Sequence, residues 1–144
     1  MNVVRTLPVG VVGEIADSSL SRTLTKTVGT GDVEIGKVIT EASGVVAQGG
    51  TGNYAGIVTG PKQMSKDGLG ATMTVKANGF VQATTFGRIW VRVKSAVTVG
   101  AQAAYDASGN IGTTGSGMTA IANSKFLTAA TGASGDTMAM IELS

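Results

Sequence analysis

Hydrophobic and polar residues alternate with a period of two along much of this chain, a pattern typical of strands that bury one face. The clearest case is RIWVRVK at residues 88–94. One face of this segment is apolar and consists of Ile89, Val91 and Val93. The other face carries three cations around one aromatic ring: Arg88, Trp90, Arg92 and Lys94. The pattern predicts a half-buried strand with a basic outer face.

Several other segments predict strands. ATMTVKANG (71–79) alternates in the same way, while GDVEIGKVIT (31–40) and YAGIVTG (54–60) are short apolar runs bounded by glycine. KFLTAAT (125–131) and TMAMIEL (137–143) flank the turn sequence GASGD and predict a closing hairpin.

Two segments have weaker patterns. In SSLSRTLTKTV (18–28) the apolar residues lie four apart, which fits a helix face, whereas the many serines and threonines favour an extended segment. GNIGTTGSGMTAIANS (109–124) is rich in glycine, serine and threonine and predicts a surface loop.

Short strands separated by turn residues indicate an all-β fold, an antiparallel β-sandwich or barrel. We expect one such domain over residues 16–144. Residues 1–15 are apolar, contain Pro8 and alternate poorly, so they predict either an extended N-terminal arm or an edge strand. An extended arm reaches about 3.3 Å per residue, far enough to contact a neighbouring subunit.

Composition limits the chemistry. The 144 residues include no cysteine and no histidine, which excludes disulfides, thiolate metal sites and histidine-based catalysis. Charged residues are only 14% of the chain and glycines number 22, which fits either a compact turn-rich β-protein or a surface covered by neighbours. The net charge is +2 and the 11 basic residues form no cluster, so nucleic acid is not an expected partner. No apolar run is long enough to span a bilayer, and no secretory signal is evident, so synthesis in the cytoplasm is expected.

No motif predicts a catalytic or cofactor site. GTGDVEIGK ends in Gly36-Lys37-Val38 without the hydroxyl that a phosphate loop requires. Asp32 and Glu34 share a strand face but suit a solvated edge better than a catalytic pair. DASGN at residues 106–110 offers too few oxygens for calcium and has the residues of a tight turn. We therefore expect no enzyme activity, no cofactor and no metal.

The basic face of residues 88–94 has three interpretations. Cations around an aromatic ring could bind single-stranded nucleic acid. Together with Tyr54 and Tyr105, Trp90 could instead form a carbohydrate platform on a displayed β-module. A lone tryptophan among arginines is more often a packing or protein-interface anchor, and this interpretation is preferred.

The block VKANGFVQATTFGRIWVRVKSAVTVGAQAAYDASGNI (75–111) resembles the central block of tailed-phage capsid decoration, or cement, proteins. The matching residues are Gly79, Phe80, Val81, Gly87, Ile89, Trp90, Val91, Thr98, Gly100, Tyr105 and Gly109. The C-terminal hairpin is also similar.

The resemblance implies a jelly-roll-like β-sandwich on the outside of the phage head. It implies that the protein bridges adjacent major capsid subunits as a homodimer or homotrimer and stabilises the shell against internal DNA pressure. The candidate interface residues combine the arm with the basic face: Val3, Val4, Arg5, Leu7, Arg88, Trp90, Arg92 and Lys94.

Overall fold

A computed structural model describes residues 12–59 and 74–144, except for the side chains of residues 17–20. The described chain consists of strands and turns, without a helix. The strands are β1 (Ile15–Thr27), β2 (Val33–Glu34), β3 (Val38–Ala42), β4 (Val45–Gln48), β5 (Asn53–Thr59), β6 (Thr74–Val75), β7 (Phe80–Arg92), β8 (Ala103–Tyr105), β9 (Ile111–Thr113), β10 (Thr119–Ala120), β11 (Ser124–Phe126) and β12 (Met138–Leu143).

The 13-residue strand β7 organises a seven-stranded antiparallel sheet. Along one edge it pairs with β1. Along the other it pairs first with β5 through residues 82–84 and then with β12 through residues 87–92. From β5 the sheet continues through β3 to β4, and from β12 it continues to β11. Five of the six other strands of this sheet are therefore attached to β7 directly or through one neighbour.

A register shift in β7 changes which residues face which side. Thr23 of β1 pairs with Thr84, but the preceding Arg22 pairs with Phe86, so Thr85 is an additional residue in β7. Such a β-bulge reverses the alternation of side chains beyond it. Val81 and Ala83 consequently join one core and Ile89 and Val91 join the other, on the opposite side of the sheet.

The two cores share the sheet between them. The larger core consists of Val38, Ile57, Ile89, Val91, Val93, Val97, Ala103, Tyr105, Ile111, Ile121, Phe126, Ala130, Ala139, Ile141 and Leu143. The smaller core consists of Val28, Val33, Ile35, Ile39, Val46, Ala55, Val58, Val81 and Ala83. Neighbouring residues of β3 and β5 alternate between the cores, which explains why these strands are buried on both faces. A parallel bridge from Val28 to Val46 brings the end of β1 back to β4 and surrounds the smaller core with strands.

A second sheet, of three short strands in the order β10-β8-β9, covers the larger core. Its buried residues include Tyr105, Ile111 and Ile121. The prediction of a surface loop over 109–124 was therefore wrong in part, because β9 and β10 lie within it. These strands are only three and two residues long. Ile111 of β9 and Ile121, which directly follows β10, were obscured in the sequence by the glycines and threonines around them.

The strand predicted over 71–79 is confirmed only at Thr74–Val75, because residues 76–79 form a turn and residues 71–73 lie outside the described residues. The remaining strand predictions are confirmed at the core of each segment. Residues 18–28 are extended rather than helical, and β11 and β12 form the C-terminal hairpin. The apolar face of 88–94 is fully in the core, with Ile89 and Val91 at 0% exposure. The all-β, sandwich-like fold of packed antiparallel sheets is thus the one that the sequence predicts.

Two of the described phenylalanines differ strongly in the exposed fraction of their side chains. Phe126 is 0% exposed, whereas Phe80 is 71% exposed. We expect Phe126→Ala to lower the free energy of unfolding by about 3–5 kcal/mol, because it leaves a cavity in the larger core. Phe80→Ala is the control and should change stability by less than about 0.5 kcal/mol. Urea denaturation of both variants measures this, and equal losses would contradict the assignment of Phe126 to the core.

Candidate protein-interface surface

The predicted arm is described only at its C-terminal end. Val3, Val4, Arg5 and Leu7 lie outside the described residues. Residues 12–15 lie along β7, where the Gly13 N–H donates to the Trp90 carbonyl at 2.8 Å and the Trp90 N–H donates to the Glu14 carbonyl at 2.9 Å. These bonds continue the β1–β7 pairing towards the N-terminus.

The four residues predicted for the basic face of 88–94 do not present one surface. Arg88 and Arg92 are exposed, whereas Trp90 between them is only 8% exposed. Trp90 lies between the backbone of residues 13–14 on one side and its cross-strand partner Met140 on the other. Lys94 lies beyond the end of β7 and binds the carboxylate of Asp106 at 2.8 Å. The tryptophan ring is therefore mostly covered by its own chain, and Lys94 faces a different part of the protein.

Two further cations join Arg88 and Arg92 on the same side of the sheet, and we call these four residues the basic face: Arg22, Arg88, Arg92 and Lys125. Cross-strand partners share a sheet face. Arg22 pairs with Phe86, which lies two residues before Arg88, and Lys125 and Arg88 both pair with Glu142. Sequence reasoning missed Arg22 and Lys125 because strand register, which the local alternation does not give, brings them beside β7.

The cations of the basic face differ in their described ion pairs. Arg88 Nε donates to Glu142 Oε2 at 2.9 Å, and Lys125 Nζ lies 3.6 Å from Glu142 Oε1. The hydrogen bond from Arg88, followed by the charges of Lys125 and Arg88, lowers the pKa of Glu142 from its ordinary value despite a smaller opposing effect of burial. Within residues 12–59 and 74–144, Arg22 and Arg92 form no ion pair. Glu142 thus binds two of the four cations, Arg88 and Lys125.

The DASGN sequence forms the tight β8–β9 turn that its residues predict. Asp106 Oδ1 accepts the backbone N–H groups of Ser108 at 2.9 Å and Asn110 at 3.0 Å. Its Oδ2 accepts from Lys94 Nζ and from Asn110 Nδ2. Gly109 adopts a positive φ of 78°, a conformation that glycine enters without steric cost. The Asp106 carboxylate therefore stabilises the turn by accepting hydrogen bonds from two of its backbone N–H groups.

This turn also joins the two sheets. The Val38 N–H donates to the Gly109 carbonyl, and the Gly50 N–H donates to the Ala107 carbonyl at 2.9 Å. Lys37 Nζ donates to the side-chain oxygen of Asn110. A Cβ atom on Gly109 would lie 2.7 Å from the Val38 carbonyl oxygen, so only glycine allows this approach. The turn has a structural function at the contact between β8–β9 and β3–β4.

Gly109→Ala tests this contact, and Gly117→Ala is its matched control. Both glycines have a positive φ, 78° and 75°, but a Cβ on Gly117 would meet nothing within 4 Å. In both variants an alanine must adopt the left-handed backbone conformation, which costs about 1–2 kcal/mol. Only in Gly109→Ala does the added Cβ atom also clash with a neighbouring group. We expect Gly109→Ala to be less stable than the control by a further 1–3 kcal/mol or so in urea denaturation. Equal stabilities would show that the turn does not need this close approach.

Asp106 predicts a dependence of stability on pH. Burial alone would raise the pKa of Asp106, but hydrogen bonds from Lys94, Asn110 and Ser108 outweigh it and hold the pKa well below its usual range. The unfolded carboxyl titrates near pH ~3.9. The stabilisation is therefore complete above about pH 4 and is lost as the pH falls through the lower folded-state pKa.

We expect Asp106→Asn to be less stable than the wild type at about pH 7, with a difference that narrows as the pH falls below about 4. Urea denaturation across this range measures both proteins. Asp136→Asn is a control, because its carboxylate also accepts a backbone N–H, that of Thr131, but forms no ion pair within the described residues. A stability difference for Asp106→Asn that stays constant with pH would contradict a role for the charge.

The aromatic residues do not form an open platform for a sugar or a base. Tyr105 is 4% exposed and packs with its ring centroid 6.1 Å from that of Tyr54, which is 36% exposed. Trp90 is buried as described above. The carbohydrate and nucleic-acid interpretations both need an accessible ring face, and of these three rings only Tyr54 offers a partial one.

A surface cleft of about 380 Å³ opens at the end of the smaller core. The ion pair between Lys26 Nζ and Glu41 Oε2, at 2.7 Å, lies on its wall beside Leu24 and Tyr54. The positive charge of Lys26 and the negative charge of Glu41 therefore compensate each other at the wall of the cleft. In the described part of the chain no group of three or more acidic residues could hold a metal ion. That part also contains no helix long and apolar enough to cross a membrane.

Comparison with known proteins identifies the family. The family described as structural cement protein (E217 gp24/Pam3 gp6) matches residues 1–144, the whole chain. The chain belongs to the structural cement protein family. It is accordingly a structural protein of the phage virion that stabilises the capsid, and the resemblance seen in residues 75–111 is confirmed.

A solved capsid chain shares the fold of this cement protein. A chain in the capsid of Myoviridae Phage XM1 superposes with a TM-score of 0.79 at 14% identity, covering 98% of this chain and 94% of that one. The N base of the head fiber gp8.5 of bacteriophage phi29 gives a TM-score of 0.48 at 12% identity, covering 87% and 95%. A search of curated protein sequences gave no match.

Proposed function

We propose that this cement protein binds the outer surface of an icosahedral phage head and bridges adjacent major capsid subunits. It acts without catalysis, as a homodimer or homotrimer, and holds the shell against the pressure of the packaged DNA. The observation that carries the proposal is the match of the whole chain to structural cement proteins. The neighbour from the XM1 capsid, which shares the fold over 98% of the chain, supports it.

The physical basis of bridging is the repetition of one modest contact. Each bound copy would bury protein surface on two capsid subunits at a seam. Because neighbouring subunits are already held together, the second contact forms at a high effective concentration. The described surface contains exposed apolar side chains suited to such contacts: Leu24, Val45, Tyr54, Phe80, Phe86 and Val99. The predicted arm, with Val3, Val4, Arg5 and Leu7, is proposed as a second contact.

Heads that lack this protein test the function. We expect them to release DNA at lower temperature, at lower chaotrope concentration and after milder osmotic shock than complete heads. Adding the purified protein should restore resistance, because binding of the assembled state shifts its disassembly to harsher conditions. Density on the outside of the shell, between capsid subunits, should appear in cryo-electron microscopy of the restored heads.

Equal survival of complete and depleted heads would contradict the stabilising function. Density confined to one capsid subunit would contradict bridging alone. A truncation of residues 2–12 is expected to fold and to bind heads more weakly, which separates the contribution of the arm from that of the folded domain.

A further inference from the structure

The outer edge of β1 offers backbone groups for an additional strand. The Val28 N–H donates to the Gly79 carbonyl, and the antiparallel register runs without interruption from Thr27–Phe80 to Thr23–Thr84. In an antiparallel pair, the backbone N–H and C=O groups of every second residue form hydrogen bonds with the partner strand. Counting from Val28, the residues bonded to β7 are Lys26 and Leu24. The N–H and C=O groups of Thr23 and Thr25 therefore point away from β7.

Within residues 12–59 and 74–144, no strand pairs with this edge along residues 21–25. All five residues are exposed, including Leu24 at 47%. At the C-terminal end of β1 the same outer edge is used, since the Gly29 N–H donates to the Val46 carbonyl at 2.9 Å. Towards the N-terminus β4 no longer accompanies β1, and the backbone of residues 21–25 has no described partner on this side. Unpaired edges of this kind accept an extended peptide by strand addition.

The side chains beside the open edge indicate the chemistry of the incoming strand. Leu24 and Phe86, 47% and 39% exposed, lie on the same sheet face and would contact an apolar residue. Arg22 belongs to the basic face and forms no ion pair within the described residues. A segment with an apolar residue and an acidic residue two positions apart matches both features, since residues i and i+2 of a strand lie on the same face.

A second copy of this protein fits the edge less well. Two copies joined by their β1 edges would bring two basic faces together, each with Arg22 near the seam. Like charges opposite one another in a sheet are destabilising. An acidic partner of a different sequence has the complementary charge.

We propose that the open edge of β1 at residues 21–25 receives an extended, carboxylate-bearing segment of a major capsid subunit as an added strand. This inference rests on the proposed function, because it specifies how the cement protein holds the shell. The backbone hydrogen bonds would position the segment, and Arg22 with the remainder of the basic face would select its charge.

Thr25→Pro tests the strand addition. Proline removes the outward N–H of residue 25 and places its ring in the path of an added strand, while the bonds from Leu24 and Lys26 to β7 remain. Ala120→Pro is the matched control. Its residue lies on the exposed edge strand β10, and the Ile121 N–H donates inward to Ala103, so the Ala120 N–H also points outward.

Binding of each purified variant to heads that lack the cement protein is the measurement, with thermal unfolding to confirm that both fold. We expect Thr25→Pro to bind at least about tenfold more weakly than the wild type, equivalent to about 1.4 kcal/mol, and Ala120→Pro to bind normally. Arg22→Glu should also weaken binding. Lys76→Glu, which reverses an exposed cation near β2–β6, should not.

Other results would overturn the inference in distinguishable ways. If wild type and Thr25→Pro bind heads equally, strand addition is wrong while the proposed function stands. If Thr25→Pro instead lowers the oligomeric mass of the isolated protein, the edge is occupied by a second copy and not by the shell. If the wild type itself does not bind heads, the proposed function fails and the inference fails with it.

Discussion

The pairing of β7 along both of its edges is the interaction on which the rest of this structure depends. Its 13 residues join β1 on one side and β5 and β12 in succession on the other. The additional residue Thr85 then exchanges the sheet faces on which odd- and even-numbered side chains lie in the second half of the strand. One strand therefore contributes side chains to two cores. A straight strand with unbroken alternation would serve only one core and leave the other without its β7 side chains.

Strands with a long hydrophobic–polar alternation were predicted correctly from the sequence. Contacts that depend on the pairing register between strands were not. Ile89 and Val91 were placed correctly in the core because one face of 88–94 is wholly apolar. Trp90 was assigned to an exposed face by the same alternation, yet it is 8% exposed because residues 13–14 and Met140 lie beside it. Period-two reasoning identifies two faces of a strand but not what covers each of them.

The same limit applies to the candidate surface. Arg88 and Arg92 were predicted together from their spacing, whereas Arg22 and Lys125 join them only through pairing across the sheet. Lys94 does not belong to the basic face, because β7 ends at Arg92 and Lys94 binds the carboxylate of Asp106, 12 residues later in the chain. Turn chemistry was easier to predict than these contacts, since Asp106 acts on groups within four residues of itself.

The ion pairs among the described residues are distributed unevenly over the surface. Lys26–Glu41, Lys76–Asp32 and Lys94–Asp106 each match one cation with one carboxylate. At the basic face, Glu142 is shared by Arg88 and Lys125, and Arg22 and Arg92 have no carboxylate in the described chain. Exposed ion pairs of this kind contribute only modestly to stability. The strand addition proposed at the edge of β1 would give Arg22 a carboxylate partner that the described chain does not supply.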